Sequence, residues 1–295
     1  MSGVNLVANA SSSPPAAVEL TGYLARLDAR ISAVGSALCL GIDPDPAALP
    51  AGYPRDIAGI DRFANLILDA AAERAAAVKV NVAFFEAFGS AGIAALERLR
   101  ARVPADLPFI ADAKRGDIST TVARQAAALF DALGADAVTA NPYLGRDALE
   151  PFFAHGDRFV YVLCRTSNPG AAEFQSLRVE AAPLYEEVAR RVAQWSADGA
   201  PVGLVVGATA PVELTRIRQV APGLPLLIPG VGAQGGDVSA VLRDGPAAAA
   251  PGAAVHGGAL LVNVSRDIAS AALEPGDPGE AIRRAAAAWA ATLQC

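Results

Sequence analysis

Lysine is almost missing from this chain. Of its 24 basic residues only Lys79 and Lys114 are lysines, and all the others are arginine. Histidine is equally scarce. His155 and His256 are the only two, both in Gly-rich or polar stretches, which argues against a Ser-His-Asp triad or a histidine-based zinc site. The three cysteines, Cys39, Cys164 and Cys295, have no metal-ligand spacing and are odd in number, so a reducing cytosol, hence a cytoplasmic location, is expected. Net positive charge is lacking as well. At a formal charge of −6, neither nucleic acid nor an anionic membrane is expected as the main partner. No apolar run of about eighteen residues is free of charges and turn formers, so no membrane span is expected. Residues Met1 to Ala16 are rich in Ser, Pro and Ala, without the basic start and apolar stretch of a signal peptide, and read as a frayed tail.

What remains is an Ala-rich globular composition, 53% hydrophobic and 18% charged over 295 residues. Eight short apolar runs stand out: Ala37–Ile42, Val78–Phe84, Phe109–Ala111, Ala137–Ala140, Phe159–Leu163, Val202–Val206, Leu226–Ile228 and Ala259–Val264. They are near-continuous rather than alternating, as parallel strands buried on both faces should be. Helical spacing separates most of them, for example Phe63, Leu66, Ile67 and Ala70, and again Leu184, Val188, Val192 and Trp195. Strand and helix alternating eight times predict an α/β fold, a single (β/α)8 TIM barrel spanning residues 17–295. A doubly wound sheet is the competitor, but Gly41-Ile42-Asp43-Pro44-Asp45 follows the first strand where a Gly-x-Gly-x-x-Gly would be needed. The Ala/Pro/Gly-rich stretch 245–258 reads as a surface insertion or mobile loop.

In such a barrel the active site lies at the C-terminal ends of the strands. Asp112 and Lys114 stand two apart at the end of the third run, so on an extended segment they point the same way, and Asp117 follows on the loop. Nearby carboxylates favour the ammonium form of a lysine, which suits a proton donor better than a Schiff-base nucleophile. A strand-end ion pair is the plain alternative. Lys79, within Val78-Lys79-Val80, is either buried with partners or snorkelling outward. Asp43 ends the first run, where Asp-Pro-Asp-Pro equally favours a simple turn. Two places look able to hold a phosphate: the loop Pro229–Gly236, which contains Gln234, and Ser265-Arg266-Asp267 after the eighth run. Thr166-Ser167-Asn168 offers hydroxyl and amide groups to a polar ring, or simply forms a turn.

Several segments together resemble the orotidine 5′-phosphate decarboxylase family, and most closely its bacterial subgroup. They are Leu40-Gly41-Ile42-Asp43-Pro44, Val78-Lys79 with Val82 to Glu86, Asp112-Ala113-Lys114-Arg115-Gly116-Asp117-Ile118, Ala137-Val138-Thr139 with Pro142 to Gly145, and Thr166 to Pro169. The resemblance runs from about Leu38 to Asp267. It implies decarboxylation of orotidine 5′-monophosphate to uridine 5′-monophosphate in pyrimidine biosynthesis, with no metal and no cofactor. It also implies roles. Lys79, Asp112, Lys114 and Asp117 would form an alternating charge network in which Lys114 protonates the C6 carbanion. Asp43 and Lys79 would bind ribose hydroxyls, Ser167 the pyrimidine, and Gln234 and Arg266 the phosphate. Asp117 and Thr121 would reach into the neighbouring subunit's site, making the enzyme a homodimer. The rival readings are a magnesium-dependent sugar-phosphate lyase of the same barrel superfamily, a Schiff-base aldolase, and a barrel that only binds a phosphorylated ligand. A lysine at position 79 would repel a divalent cation.

Overall fold

A computed structural model describes residues 20–295; the expected frayed tail at 1–16 lies outside them. Eight strands close into a parallel barrel: β1 (Leu38–Ile42), β2 (Ala77–Asn81), β3 (Phe109–Arg115), β4 (Ala137–Ala140), β5 (Phe159–Arg165), β8 (Val202–Val206), β9 (Leu226–Pro229) and β10 (Leu260–Val264). β6 (Arg178–Val179) and β7 (Ala182–Pro183) form a separate two-stranded antiparallel hairpin between β5 and the helix Leu184–Ala197. Helices alternate with the barrel strands, as the spacing predicted for Ile57–Ala71 and Leu184–Ala197.

The near-continuous apolar runs have a simple cause: both faces of the barrel strands are buried. On β1 to β4 the outward residues Leu38, Leu40, Val78, Val80, Phe109, Ala111, Val138 and Ala140 pack with the surrounding helices. The inward residues Cys39, Ala77, Ile110 and Ala137 join Phe159, Tyr161, Leu227 and Leu261 in a second cluster inside the barrel. Alternation then dictates what comes next along each strand. Two residues beyond Ala77 stands Lys79, beyond Ile110 Asp112, beyond Ala137 Thr139, and beyond Leu261 Asn263. All four are buried polar side chains. The barrel interior is therefore apolar at its N-terminal end; at its C-terminal end β2, β3, β4 and β10 present polar groups, while Leu163 of β5 and Val205 of β8 keep that side apolar.

The N-terminal mouth is closed by the helix Gly22–Val34, whose Tyr23, Leu27 and Ile31 belong to the inner cluster. The Tyr23 and Tyr161 hydroxyls meet at 3.1 Å inside it. The segment 245–258 lies at this same end. Gly252 N–H donates to the Gly223 carbonyl, and Val255 is buried in the inner cluster.

One expectation needs correction, and one element was not foreseen. The second apolar run does not continue as strand to Phe84: β2 stops at Asn81, and Ala83–Glu86 forms a helical turn. The Asn81 side chain accepts the Ala83 N–H at 3.2 Å to start that turn, and the apolar pattern persists because Phe85 is buried too. The hairpin β6–β7 carried no periodic signal, since both residues of β6 are exposed and those of β7 only partly covered.

Candidate functional site

A cavity of about 410 Å³ opens at the C-terminal end of the barrel. Among the residues lining it are Asp43, Lys79, Asp112, Lys114, Ser167, Gln234 and Arg266. Seven of the nine residues singled out in the sequence thus converge on one space. Asp117 and Thr121 do not line it. Asp117 uses a carboxylate oxygen to accept the Ile118 N–H at 2.7 Å, and Thr121 is exposed on the helix Ser119–Ala126.

The centre of the site is a charge cluster. Asp112, only 8% exposed, accepts from the Lys79 ammonium on Oδ2 at 2.8 Å. On Oδ1 it accepts from the Lys114 ammonium at 2.6 Å and from the Thr139 hydroxyl at 2.8 Å. Lys79 Nζ also lies 3.7 Å from Asp43 Oδ1, so its ammonium occupies the space between two carboxylates. Burial by itself disfavours the Lys79 ammonium, but Asp112 and Asp43 outweigh it and hold the pKa above the usual lysine value. Burial likewise opposes the Asp112 carboxylate, and the two lysines reverse that, holding it well below the usual carboxylate range. Lys79 is therefore the buried, partnered lysine and does not snorkel. Lys114 differs: its side chain is 49% exposed and reaches Asp112 from above.

Lys114 does not sit on a regular extended segment as expected. Its φ is +48°, in the left-handed region, which costs a side-chain-bearing residue about 1–2 kcal/mol. The β3–β4 register shows why. Ala111 pairs with Val138 and Arg115 with Ala140, so Asp112, Ala113 and Lys114 all lie opposite Thr139 alone. β3 bulges there, and Lys114 N–H donates to Thr139 Oγ1 at 3.0 Å. Past the bulge, Arg115 pairs with Glu86, and Gly116 packs so close to the Asn141 carbonyl that a Cβ would lie 2.9 Å from it.

Around this cluster the loops supply polar groups. Asp45, not Asp43, organises the turn after β1 by accepting the Ala47 N–H at 2.9 Å, which leaves the Asp43 carboxylate facing Lys79. Ser167 Oγ donates to Gln234 Oε1 at 3.1 Å, tying the β5 loop to the β9 loop. The approach is close: a Cβ on Gly207 would lie 2.8 Å from Ser167, and one on Gly230 2.7 Å from Gln234 Oε1. Gly235 N–H donates to the Gly232 carbonyl and Gly236 N–H to the Gly230 carbonyl, folding the β9 loop back on itself beside Arg266. Asp43 Oδ1 and Asn263 Oδ1 are buried with no hydrogen-bond partner among the described residues, and both residues line the cavity.

Sequence reasoning missed Thr139 and Asn263 as site residues. Each interrupts an apolar run at its C-terminal end, which was the available signal. The chemistry on offer is electrostatic. A cationic amine on a partly open arm, a carboxylate fixed beside it and a second buried ammonium can stabilise charge developing on a substrate carbon and deliver a proton to it.

Residues 36–285 match the model of the orotidine 5′-phosphate decarboxylase / HUMPS family. A Thermomicrobium roseum orotidine 5′-phosphate decarboxylase is 49% identical over 82% of this chain and 85% of its own. One from Roseiflexus castenholzii is 50% identical over 79% and 83%. Among solved structures, Leishmania donovani OMP decarboxylase superposes with a TM-score of 0.77 at 38% identity, covering 93% of this chain and 99% of that one. The Leishmania donovani UMP synthase structure gives a TM-score of 0.78 at 41% identity, and there the match covers 92% of this chain but only 57% of the larger one. With the family model covering most of the barrel and these relatives aligned over most of their length, the chain belongs to the orotidine 5′-phosphate decarboxylase / HUMPS family.

Proposed function

We propose that this protein decarboxylates orotidine 5′-monophosphate to uridine 5′-monophosphate without a metal or cofactor. The observation that carries the reading is the pair of lysines on one carboxylate, Lys79 and Lys114 on Asp112. The C6–carboxylate bond breaks with its electron pair left on C6, and carbon dioxide leaves. The Lys114 ammonium, opposite that carbon, stabilises the growing negative charge and then transfers a proton to it. Solvent reprotonates the lysine, so atoms and charge balance. Asp112 lies beside the departing carboxylate, where like charge disfavours the bound acid more than the carbanion.

Binding is divided among the loops. Asp43 and Lys79 hold ribose hydroxyls, a role supported by both side chains lining the cavity side by side. Ser167 addresses the pyrimidine, and Gln234 and Arg266 the phosphate, at the loops that follow the seventh and eighth barrel strands. Binding energy from the phosphate then serves the chemistry at a distance. The Lys79 ammonium between Asp43 and Asp112 favours this reading over a magnesium-dependent sugar-phosphate lyase, whose cation would need that space.

The working unit is a homodimer in the cytoplasm. Asp117 and Thr121 do not line their own cavity, which leaves them available to a second copy's site, and the neighbouring Ile118 and Tyr143 are 58% and 86% exposed. A second cavity of about 520 Å³, bounded by Asp43, Asn81, Phe84 and Arg266, leaves room beside the site for such a loop. The test is the ultraviolet absorbance of orotidine 5′-monophosphate on adding enzyme, with chelator throughout. Conversion in chelator is expected, and none with or without added magnesium would overturn the reading.

A further inference from the structure

We infer that Thr139 is a positioning residue for the proton donor, holding Lys114 and Asp112 in reacting geometry through its hydroxyl alone; this rests on the function proposed above. Four observations converge on that side chain. It is 1% exposed at the end of β4, within the wall of the cavity. It is the single residue opposite the three-residue bulge of β3 that carries both charged groups. Its oxygen accepts the Lys114 N–H at 3.0 Å, in the place where a regular ladder would offer a carbonyl. Its proton goes to Asp112 Oδ1 at 2.8 Å.

The hydroxyl has one proton and can donate once, so these two bonds fix its orientation completely. The result is a closed ring: Thr139 oxygen to Lys114 backbone, Lys114 side chain to Asp112 at 2.6 Å, and Asp112 back to Thr139. The ring explains how a lysine persists at a φ of +48°. Its N–H is bonded to Thr139 in that conformation, and strain of this kind survives where the surroundings over-determine it. Without the hydroxyl, the half-buried Lys114 N–H and one Asp112 lone pair lose their partners, and the bulge relaxes toward an ordinary ladder. Nζ then leaves its place over the reacting carbon. Because Thr139 touches the network rather than the phosphate or ribose groups, the loss falls on turnover and not on binding.

The test compares Thr139→Val, which keeps the shape, with Thr139→Ser, which keeps the hydroxyl. Loss of a hydrogen bond to a charged group predicts a kcat roughly ten- to a hundredfold lower for Thr139→Val, with KM within about twofold. Thr139→Ser should restore kcat to within about threefold of wild type. A Val variant with unchanged kcat, or Ser and Val variants equally impaired, would overturn the inference. If the Val variant does not fold, Thr139→Ala is compared with Ser by the same split. Wild-type inactivity on orotidine 5′-monophosphate would instead sink the proposed function. Crystal structures read the positioning independently of activity: Lys114 still left-handed and on Asp112 in the Val variant refutes it.

Discussion

Replacing Lys79 by methionine separates the buried ion network from the rest of the fold. The perturbation removes an ammonium 4% exposed, 2.8 Å from Asp112 and 3.7 Å from Asp43, while keeping the unbranched stem of the side chain. At an effective dielectric of about 20, these separations correspond to attractions of about 6 and 4 kcal/mol. Desolvation of the ammonium offsets several kcal/mol of that. Breaking a buried pair costs about 3–5 kcal/mol as a rule. The low end applies here, because Lys114 and Thr139 still hold Asp112 Oδ1. We expect Lys79→Met to lose about 3 kcal/mol, on the order of 6 °C in Tm for a chain of this size. The assay is urea unfolding across pH. Lys79 has a folded pKa above its unfolded one, so its contribution is complete below about pH 10.5 and disappears as pH rises through the folded value. Asp112 has the opposite shift, so its contribution is complete above about pH 4 and disappears as pH falls. The variant should therefore lack the alkaline decline beginning near pH 10.5 and show a weaker acid one. Adding Asp112→Asn should cost about 2 kcal/mol less than the two single changes summed. A Lys79→Met protein with wild-type stability and alkaline limb would refute the network.

Other outcomes follow from the same geometry. Lys114→Ala should abolish turnover measurably by absorbance yet leave the affinity for uridine 5′-monophosphate, read by calorimetry, within about tenfold, because the side chain is half exposed and its loss leaves the loops intact. Mixing Lys114→Ala with Asp117→Ala protein should restore activity in hybrids, up to about a quarter of wild type if subunits exchange at random; no recovery would exclude a shared site. Gly207→Ala should raise KM about tenfold or more, since its Cβ would lie 2.8 Å from the Ser167 backbone and displace that loop, and an unchanged KM would show that the loop yields freely.

The barrel and most of its site were legible in the sequence because burial on both faces leaves a composition signal. Runs such as Val202–Val206 admit no polar residue, so polar residues at or just past the end of a run stand out, and Asp43, Asp112 and Arg266 were singled out that way, whereas Ser167 read as a turn until the family resemblance pointed to it. Lys79 was found by rarity. The same logic failed where apolar burial continued past a strand, as at Phe85, and where a short hairpin lay exposed, as at Arg178–Val179.

Only the tertiary structure decided how these groups meet. Strand alternation by itself aligns Asp112 with Lys114, yet the bulge gives Lys114 a φ of +48° and sets it opposite Thr139. Such a bulge depends on the register between two strands, which no local pattern in either one contains. Nor could spacing show that Lys79 lies between two carboxylates from β3 and the β1 loop, or that Ser167 and Gln234, 67 residues apart, share a hydrogen bond. The sequence by itself determined which residues are polar at the top of the barrel, since hydrophobic burial allows so few. Closure of the barrel determined their distances, because those arise from contacts between strands distant in the chain.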